Sequence, residues 1–344
     1  MIQIYNILCF YATFLCAQII IRRYKAGQPT PPARNPQHPD TQTAVKTTSK
    51  TVEMKETPEP TKATRGFLDV AGMDSLKQLI RQGFINVLKN PERAALYGVK
   101  VPNVLLYGPA GCGKTFFAEK VAEEVGINFM KVSPDDLSSI YIHGTQQKIG
   151  EIFKKAEKNA PTLIFLDEFD CMVPHRSTDP NRQHQTDEVD EFLTVLNNSA
   201  DRGIYVMAAT NHPENIDGSV LRTGRIDEKI YVPMPDEATR ESLFRMELSR
   251  RPNADIDYAR LASLTNGYNC SDITYIISTA ALGKFNASVS DKTAEPCPIT
   301  QTDIEQIISR TSPSVSEKDL RAIERVHEDF APRDKQKKHS MGFR

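Results

Sequence analysis

Eight consecutive residues, Gly108-Pro109-Ala110-Gly111-Cys112-Gly113-Lys114-Thr115, restrict what this 344-residue chain can fold into more than any other feature. They satisfy GxxxxGK[ST], follow the apolar run Val104–Tyr107, and lead into a helical periodicity carried by Phe117, Val121 and Val125. Glycines at these positions let backbone N–H groups turn inward around phosphate oxygens, and a helix N-terminus adds its positive dipole end. In such a loop Lys114 neutralises the β and γ phosphates, and the Thr115 hydroxyl holds Mg²⁺. An ordinary glycine-rich turn that happens to carry Lys-Thr is the bland alternative. The strand before and the helix after weigh against it.

The same alternation continues along the chain. Further candidate strands are residues 129–132, 163–166, 205–209 and 230–232, separated by helical patterns such as Ile149, Ile152, Phe153 and Ala156. Continuous apolar strands alternating with amphipathic helices predict an α/β fold, a parallel sheet covered on both faces. After Pro235 the strand patterns stop. Residues 236–330 read as helices with apolar faces Leu243/Met246/Leu248, Ile273/Ile276/Ile277 and Ile304/Ile307/Ile308, the last opened by a capping box of Thr302 and Glu305. The expected organisation is therefore a sheet-containing unit over 66–235 and a smaller helical one over 236–330.

Two more strand ends carry chemistry. Residues 163–166 end in Asp167-Glu168, and in a parallel sheet that carboxyl end lies beside the phosphate loop. Asp167 then belongs to the Mg²⁺ shell, while Glu168 polarises an attacking water, which fits hydrolysis better than binding alone. Residues 205–209 lead to Thr210-Asn211, where Asn211 can donate to a γ-phosphate or orient the water; an Asn here also serves as a plain turn former.

Residues 2–21 contain no charged side chain, and about 20 residues at ~1.5 Å rise cover a ~30 Å hydrocarbon core. A secretory signal or a buried helix are the rivals to a membrane anchor, and Gln3, Asn6, Thr13 and Gln18 weaken it. The cations Arg22, Arg23 and Lys25 follow the apolar stretch, which is the pattern of an anchor with the remainder of the chain in the cytoplasm. Residues 22–65 are rich in Pro, Thr and Lys and poor in large apolar side chains, the composition of a tether. Residues 331–344 form a polar tail with Arg333, Lys335, Lys337, Lys338 and His339, able to touch anionic lipid or to stay solvated. A net charge of −1 excludes a general nucleic-acid binder. Six scattered cysteines without a CxxC pair exclude a zinc ribbon and argue against a disulfide framework. Cys112 reads as a small residue of the loop and not a nucleophile, and Phe116 and Phe117 read as core.

On these motifs residues 66–330 resemble the classical AAA clade of P-loop ATPases. Also similar are Phe67-Leu68-Asp69-Val70-Ala71-Gly72, Leu221-Arg222-Thr223-Gly224-Arg225-Ile226-Asp227, and Pro313-Ser314-Val315-Ser316 with Asp319-Leu320. The resemblance implies an αβα subdomain, a helical lid, and a homohexameric ring with ATP and Mg²⁺ at each subunit junction. It implies that Asp69 and Ala71 lie beside adenine, and that Pro109 to Thr115 hold the phosphates. Arg222 and Arg225 would be arginine fingers acting in the neighbouring subunit's site, though a turn can carry two surface arginines without that role. Gly267-Tyr268-Asn269-Cys270-Ser271-Asp272 is similar to the lid segment near adenine and ribose, with Cys270-Ser271 in place of the family's Gly-Ala type pair; no lid arginine stands out as a second sensor.

Members that pull on polypeptides carry an aromatic-aliphatic pair on a pore loop, and Tyr141-Ile142 occupies that place. Large flat side chains grip an extended chain without reading its sequence. His143 stands where Gly is usual, and Tyr141 can alternatively pack in a core. Three functions compete. The first is a membrane-anchored, ATP-driven machine that remodels, unfolds or extracts proteins. The second is an ATP-switched assembly or tethering factor that threads nothing. The third, a relative of the membrane AAA metalloproteases, fails because no HExxH occurs: His327-Glu328-Asp329-Phe330-Ala331 lacks the second His.

Overall fold

The computed structural model describes residues 65–137, 144–175, 183–290 and 297–330. Residues 1–64 with the apolar stretch at 2–21, the pore-loop residues Tyr141, Ile142 and His143, and the tail 331–344 lie outside the described residues. Among the described residues no helix is long and apolar enough to cross a membrane.

Five strands, β1 (Val104–Tyr107), β2 (Asn128–Val132), β3 (Thr162–Leu166), β4 (Ile204–Thr210) and β5 (Glu228–Tyr231), form one parallel sheet in the order β2-β3-β4-β1-β5. The helices preceding and crossing the sheet are α1 (Asp74–Ile80, running on through a π turn at Arg81–Ile85), α2 (Pro91–Tyr97), α3 (Lys114–Val125), α4 (Gly144–Lys158) and α5 (Gln183–Leu196). The central strands are buried on both sides because successive side chains alternate between two cores. Leu105, Ile164, Leu166 and Val206 pack with Ile149, Phe153 and Phe192 on one face. Leu106, Phe165 and Met207 pack with Phe117, Val121, Ile80 and Phe84 on the other.

After β5 the described residues form helices: α6 (Glu237–Leu248), α7 (Tyr258–Leu264), α8 (Cys270–Ser290), α9 (Gln301–Ile308) and α10 (Glu317–Phe330). Leu243, Ile273, Ile276, Ile277 and Ile304 form a third core, with Met246 and Ile307 against it. The expected cap of α9 is displaced by two residues. Thr300, not Thr302, forms the capping box, with Asp303, whose carboxylate accepts from both its N–H and its hydroxyl (2.8 and 2.6 Å), because Gln301 already has helical backbone and Thr302 sits inside the first turn. Phe116 is also corrected: its ring is 42% exposed under the Lys120 ammonium, while Phe117 is fully buried, since adjacent helical residues face about 100° apart. α10 returns to the sheet, where Tyr107 shares a 2.8 Å hydrogen bond with His327 and Tyr231 stacks on the His327 ring at 4.4 Å.

Candidate functional site

The strand order places β1 between β4 and β5, while the next strand in sequence, β2, lies at the far edge. This reversal opens a crevice at the carboxyl ends of β1, β3 and β4, the usual ligand position in such sheets. Gly108 through Thr115 cross it. Gly108 (φ 150°) has no room for a side chain, because a Cβ would collide with the Val232 carbonyl, and Gly111 (φ 74°) lies equally close to the Asn269 side chain. Gly113 in left-handed backbone then starts α3, so the helix N-terminus points into the loop.

Lys114 is 8% exposed. Its ammonium donates to the carbonyls of Gly108 and Pro109 (both 2.8 Å) and to Asn211 Oδ1 (2.6 Å). Burial pushes its pKa down to about 8. The P-loop and the end of β4 thus meet on one cation, as the sequence spacing implies. The Thr115 hydroxyl donates to Asp167 Oδ2 at 3.2 Å, joining the loop to the end of β3. A hydroxyl and a carboxylate oxygen side by side are the hard-oxygen donors that Mg²⁺ takes together with substrate phosphates, so these residues fit the ion. Lys131, at the end of β2, pairs with Asp167 at 2.8 Å.

Glu168 is exposed and adopts left-handed backbone (φ 50°), which costs a non-glycine residue about 1 kcal/mol. The chain turns there from β3 into the single helical turn Phe169–Met172. Cys112 is fully buried against Met234, its thiol pushed up to about 12 by burial, which removes it as a nucleophile. Cys270 behaves similarly, pushed up to about 11 by burial.

The helical region reaches the loop through the start of α8. The Ser271 N–H and hydroxyl both donate to the Gly111 carbonyl (3.0 and 3.3 Å). Asn269, 2% exposed, donates from its amide to the Ala110 carbonyl (3.1 Å) and to the Ser314 hydroxyl (2.9 Å). Its Oδ1 accepts from the Asp272 N–H, and the Asp272 carboxylate accepts from the N–H groups of Asn269 and Ser314. Sequence reading named Cys270 and Ser271 here and missed this brace. The signal was present as Asn269-x-x-Asp272 at a helix start, a reciprocal capping pattern. Asp170, which accepts from the Thr210 hydroxyl at 2.6 Å and ties the turn after β3 to β4, carried no recognisable signal.

Asp69 and Ala71 lie where the opening segment meets the helical region. The Asp69 carboxylate pairs with Arg250 (2.8 Å) and Lys120 (3.6 Å), and Ala71 packs against the third core. Arg222 is exposed, and Arg225 donates to the Ser219 carbonyl (2.7 Å) on the loop between β4 and β5, not to the P-loop of its own chain. Among the described residues no group of three or more His, Cys, Asp or Glu side chains is placed to hold a metal ion by itself.

The family model for ATPases associated with various cellular activities (AAA) matches residues 104–234. The cell division cycle protein 48 homolog of Archaeoglobus fulgidus is 32% identical over 273 residues, 76% of this chain and 37% of the relative. The ATPase family gene 2 protein homolog A of Homo sapiens is 32% identical over 266 residues, 76% of this chain and 29% of the relative. The ATP-dependent zinc metalloprotease FtsH of Caldicellulosiruptor bescii is 34% identical over 221 residues, 63% of this chain and 36% of the relative. The chain spans about a third of the length of the curated relatives it matches.

Proposed function

This chain is an AAA ATPase carrying the P-loop domain of the classical clade, and from that premise we propose that it hydrolyses ATP within a membrane-anchored homohexameric ring to remodel, unfold or extract polypeptides. The observation that carries the catalytic half is the convergence of Lys114, Thr115, Asp167 and Asn211 at the carboxyl ends of three adjacent strands. In this reading Lys114 offsets phosphate charge, and Thr115 with Asp167 holds Mg²⁺, which when bound supplies Lewis-acid charge stabilisation. Glu168 accepts the proton of the attacking water, and Asn211 orients that water or the γ-phosphate. The dipole end of α3 and the inward N–H groups of Gly111 and Gly113 bind the phosphate oxygens. Adenine lies between the segment Asp69 to Ala71 and the Cys270-Ser271 start of α8.

Arg222 and Arg225 act in trans on the neighbouring protomer's nucleotide, so that turnover depends on assembly. The exposure of Arg222 and the bond of Arg225 to Ser219 rather than to its own P-loop support this, as do the exposed apolar side chains Tyr275, Leu282, Phe285 and Val289 on α8 and Leu96 and Tyr97 on α2. Residues 2–21 supply the anchor and residues 22–65 the tether, with the ATPase domain on the cytoplasmic side. Tyr141 and Ile142 grip the substrate. The test is the Glu168→Gln protein held with ATP and purified with whatever it retains. Diverse, partly unfolded membrane proteins support extraction. One stoichiometric folded partner, together with ATPase unresponsive to unfolded polypeptide in both wild type and Tyr141→Ala, points instead to an assembly or tethering factor.

A further inference from the structure

Among the described residues β5 is the outer strand of the sheet, bonded to β1 on one side only. The N–H groups of Glu228 and Val232 donate to Asn103 and Tyr107 of the β1 side (3.2 and 2.8 Å). By the period-two alternation of a parallel ladder, the N–H and C=O groups of Lys229 and Tyr231 therefore face the free edge. An edge of this kind is a template for another strand. This edge borders a cavity of about 1130 Å³, lined by Leu76, Leu79 and Ile80 of α1 and by His327 of α10, whose ring also stacks on Tyr231. Leu79 is 56% exposed. Three carboxylates, Asp74, Glu228 and Asp236, line the cavity against the single ammonium of Lys229.

The course of α10 supplies the occupant. His327 stacks on Tyr231, and three residues later the Phe330 ring lies 5.2 Å from the Tyr107 ring and 5.6 Å from the Lys229 ammonium, so α10 ends against β1 and β5, beside the groove that His327 lines. The 14 residues that follow can span up to ~46 Å when extended, several times the length of a four-residue strand. Arg333, Lys335 and Lys337 recur at period two, the strand register, and Lys338 and Arg344 bring the cations to five against one acid, Asp334. Met341 and Phe343 follow as apolar side chains for a hydrophobic wall. We infer that this chain's own tail, residues 331–344, docks in the β5-edge groove as an added strand, with its cations set against Asp74, Glu228 and Asp236. The groove lies on the opposite side of β1 from Asp167 and Asn211, so this docking is independent of the ATPase reading.

Hydrogen exchange on the full chain, on a chain ending at Phe330, and on Leu79→Glu tests it. The inference predicts that the Lys229 and Tyr231 amides exchange at least tenfold faster in the truncated chain and in Leu79→Glu, with Leu106 unchanged as an internal control. It also predicts that the synthetic 331–344 peptide restores protection to the truncated chain, and that 0.5 M salt weakens this rescue several-fold. Equal exchange of the two amides in the full and truncated chains overturns it. Protection that fades on dilution of the full chain also overturns it, by making the occupant a second copy.

Discussion

Lys114 shows how a single burial decides electrostatics. Three oxygens accept from its ammonium, yet desolvation outweighs them and lowers the pKa from 10.5 to about 8. Below pH 8 the group is charged in folded and unfolded chain alike, and the burial penalty is fully felt. As pH rises from about 8 toward 10.5 the folded chain releases this proton first, so the unfolded state binds more protons and this group's contribution to stability increases. Nucleotide binding requires the charged form. ADP affinity should therefore weaken with pH above 8, approaching tenfold per unit, and calorimetry at pH 9 in buffers of different ionisation enthalpy should find uptake of close to one proton. Binding without proton uptake there would remove Lys114 as the titrating phosphate ligand. At the same scale, the sequence pattern located Lys114, Thr115, Asp167 and Asn211 correctly in one crevice, since each sits at a strand end whose place a parallel sheet dictates.

At the scale of elements, the start of α8 is fastened to the P-loop by Asn269, Ser271 and Asp272, and through Ser314 to the segment leading into α10. Asn269→Ala removes a buried donor that satisfies Ala110 and Ser314 together, and should destabilise the chain by about 1–3 kcal/mol. Because the lost contact lies at the P-loop, which the proposed function assigns to phosphate binding, nucleotide affinity should fall at least several-fold as well. Thermal unfolding with and without ADP reads both effects; a stability loss with unaltered affinity would make the brace purely structural. The exposed stripe Tyr275, Leu282, Phe285 and Val289 on α8 recurs at heptad-like spacing and faces away from the third core. Leu282→Asp should leave the monomer folded and shift the assembly equilibrium toward monomer by at least tenfold, read by analytical ultracentrifugation in the presence of ATP.

For the whole molecule, the proposed reaction is divided between protomers. Arg225→Ala should bind nucleotide within about twofold of wild type while turnover falls by ~10³ or more. Mixing Arg225→Ala with Glu168→Gln, each inactive alone, should recover partial activity, because a mixed ring contains junctions with an intact Glu168 on one side and an intact Arg225 on the other. Specific activity of the wild type should also rise with protein concentration until rings are complete. Concentration-independent turnover, or no recovery on mixing, would place the whole reaction within one protomer.

Local sequence by itself determined the phosphate loop, the five strands to within two residues at each end, and the carboxylate and amide at the ends of β3 and β4. These follow from short-range periodicity and from glycines whose backbone angles no other residue tolerates well. It did not determine the cap of α9, where Thr300 and Thr302 offer the same chemistry and only the first helical backbone angle chooses between them. Nor did it show the Asn269 brace, the Asp69–Arg250 pair or the return of α10 onto Tyr107 and Tyr231, whose partners lie 45 to 220 residues apart. Such contacts depend on how the helical region folds back over the sheet, and that is set by packing of three cores rather than by any local pattern.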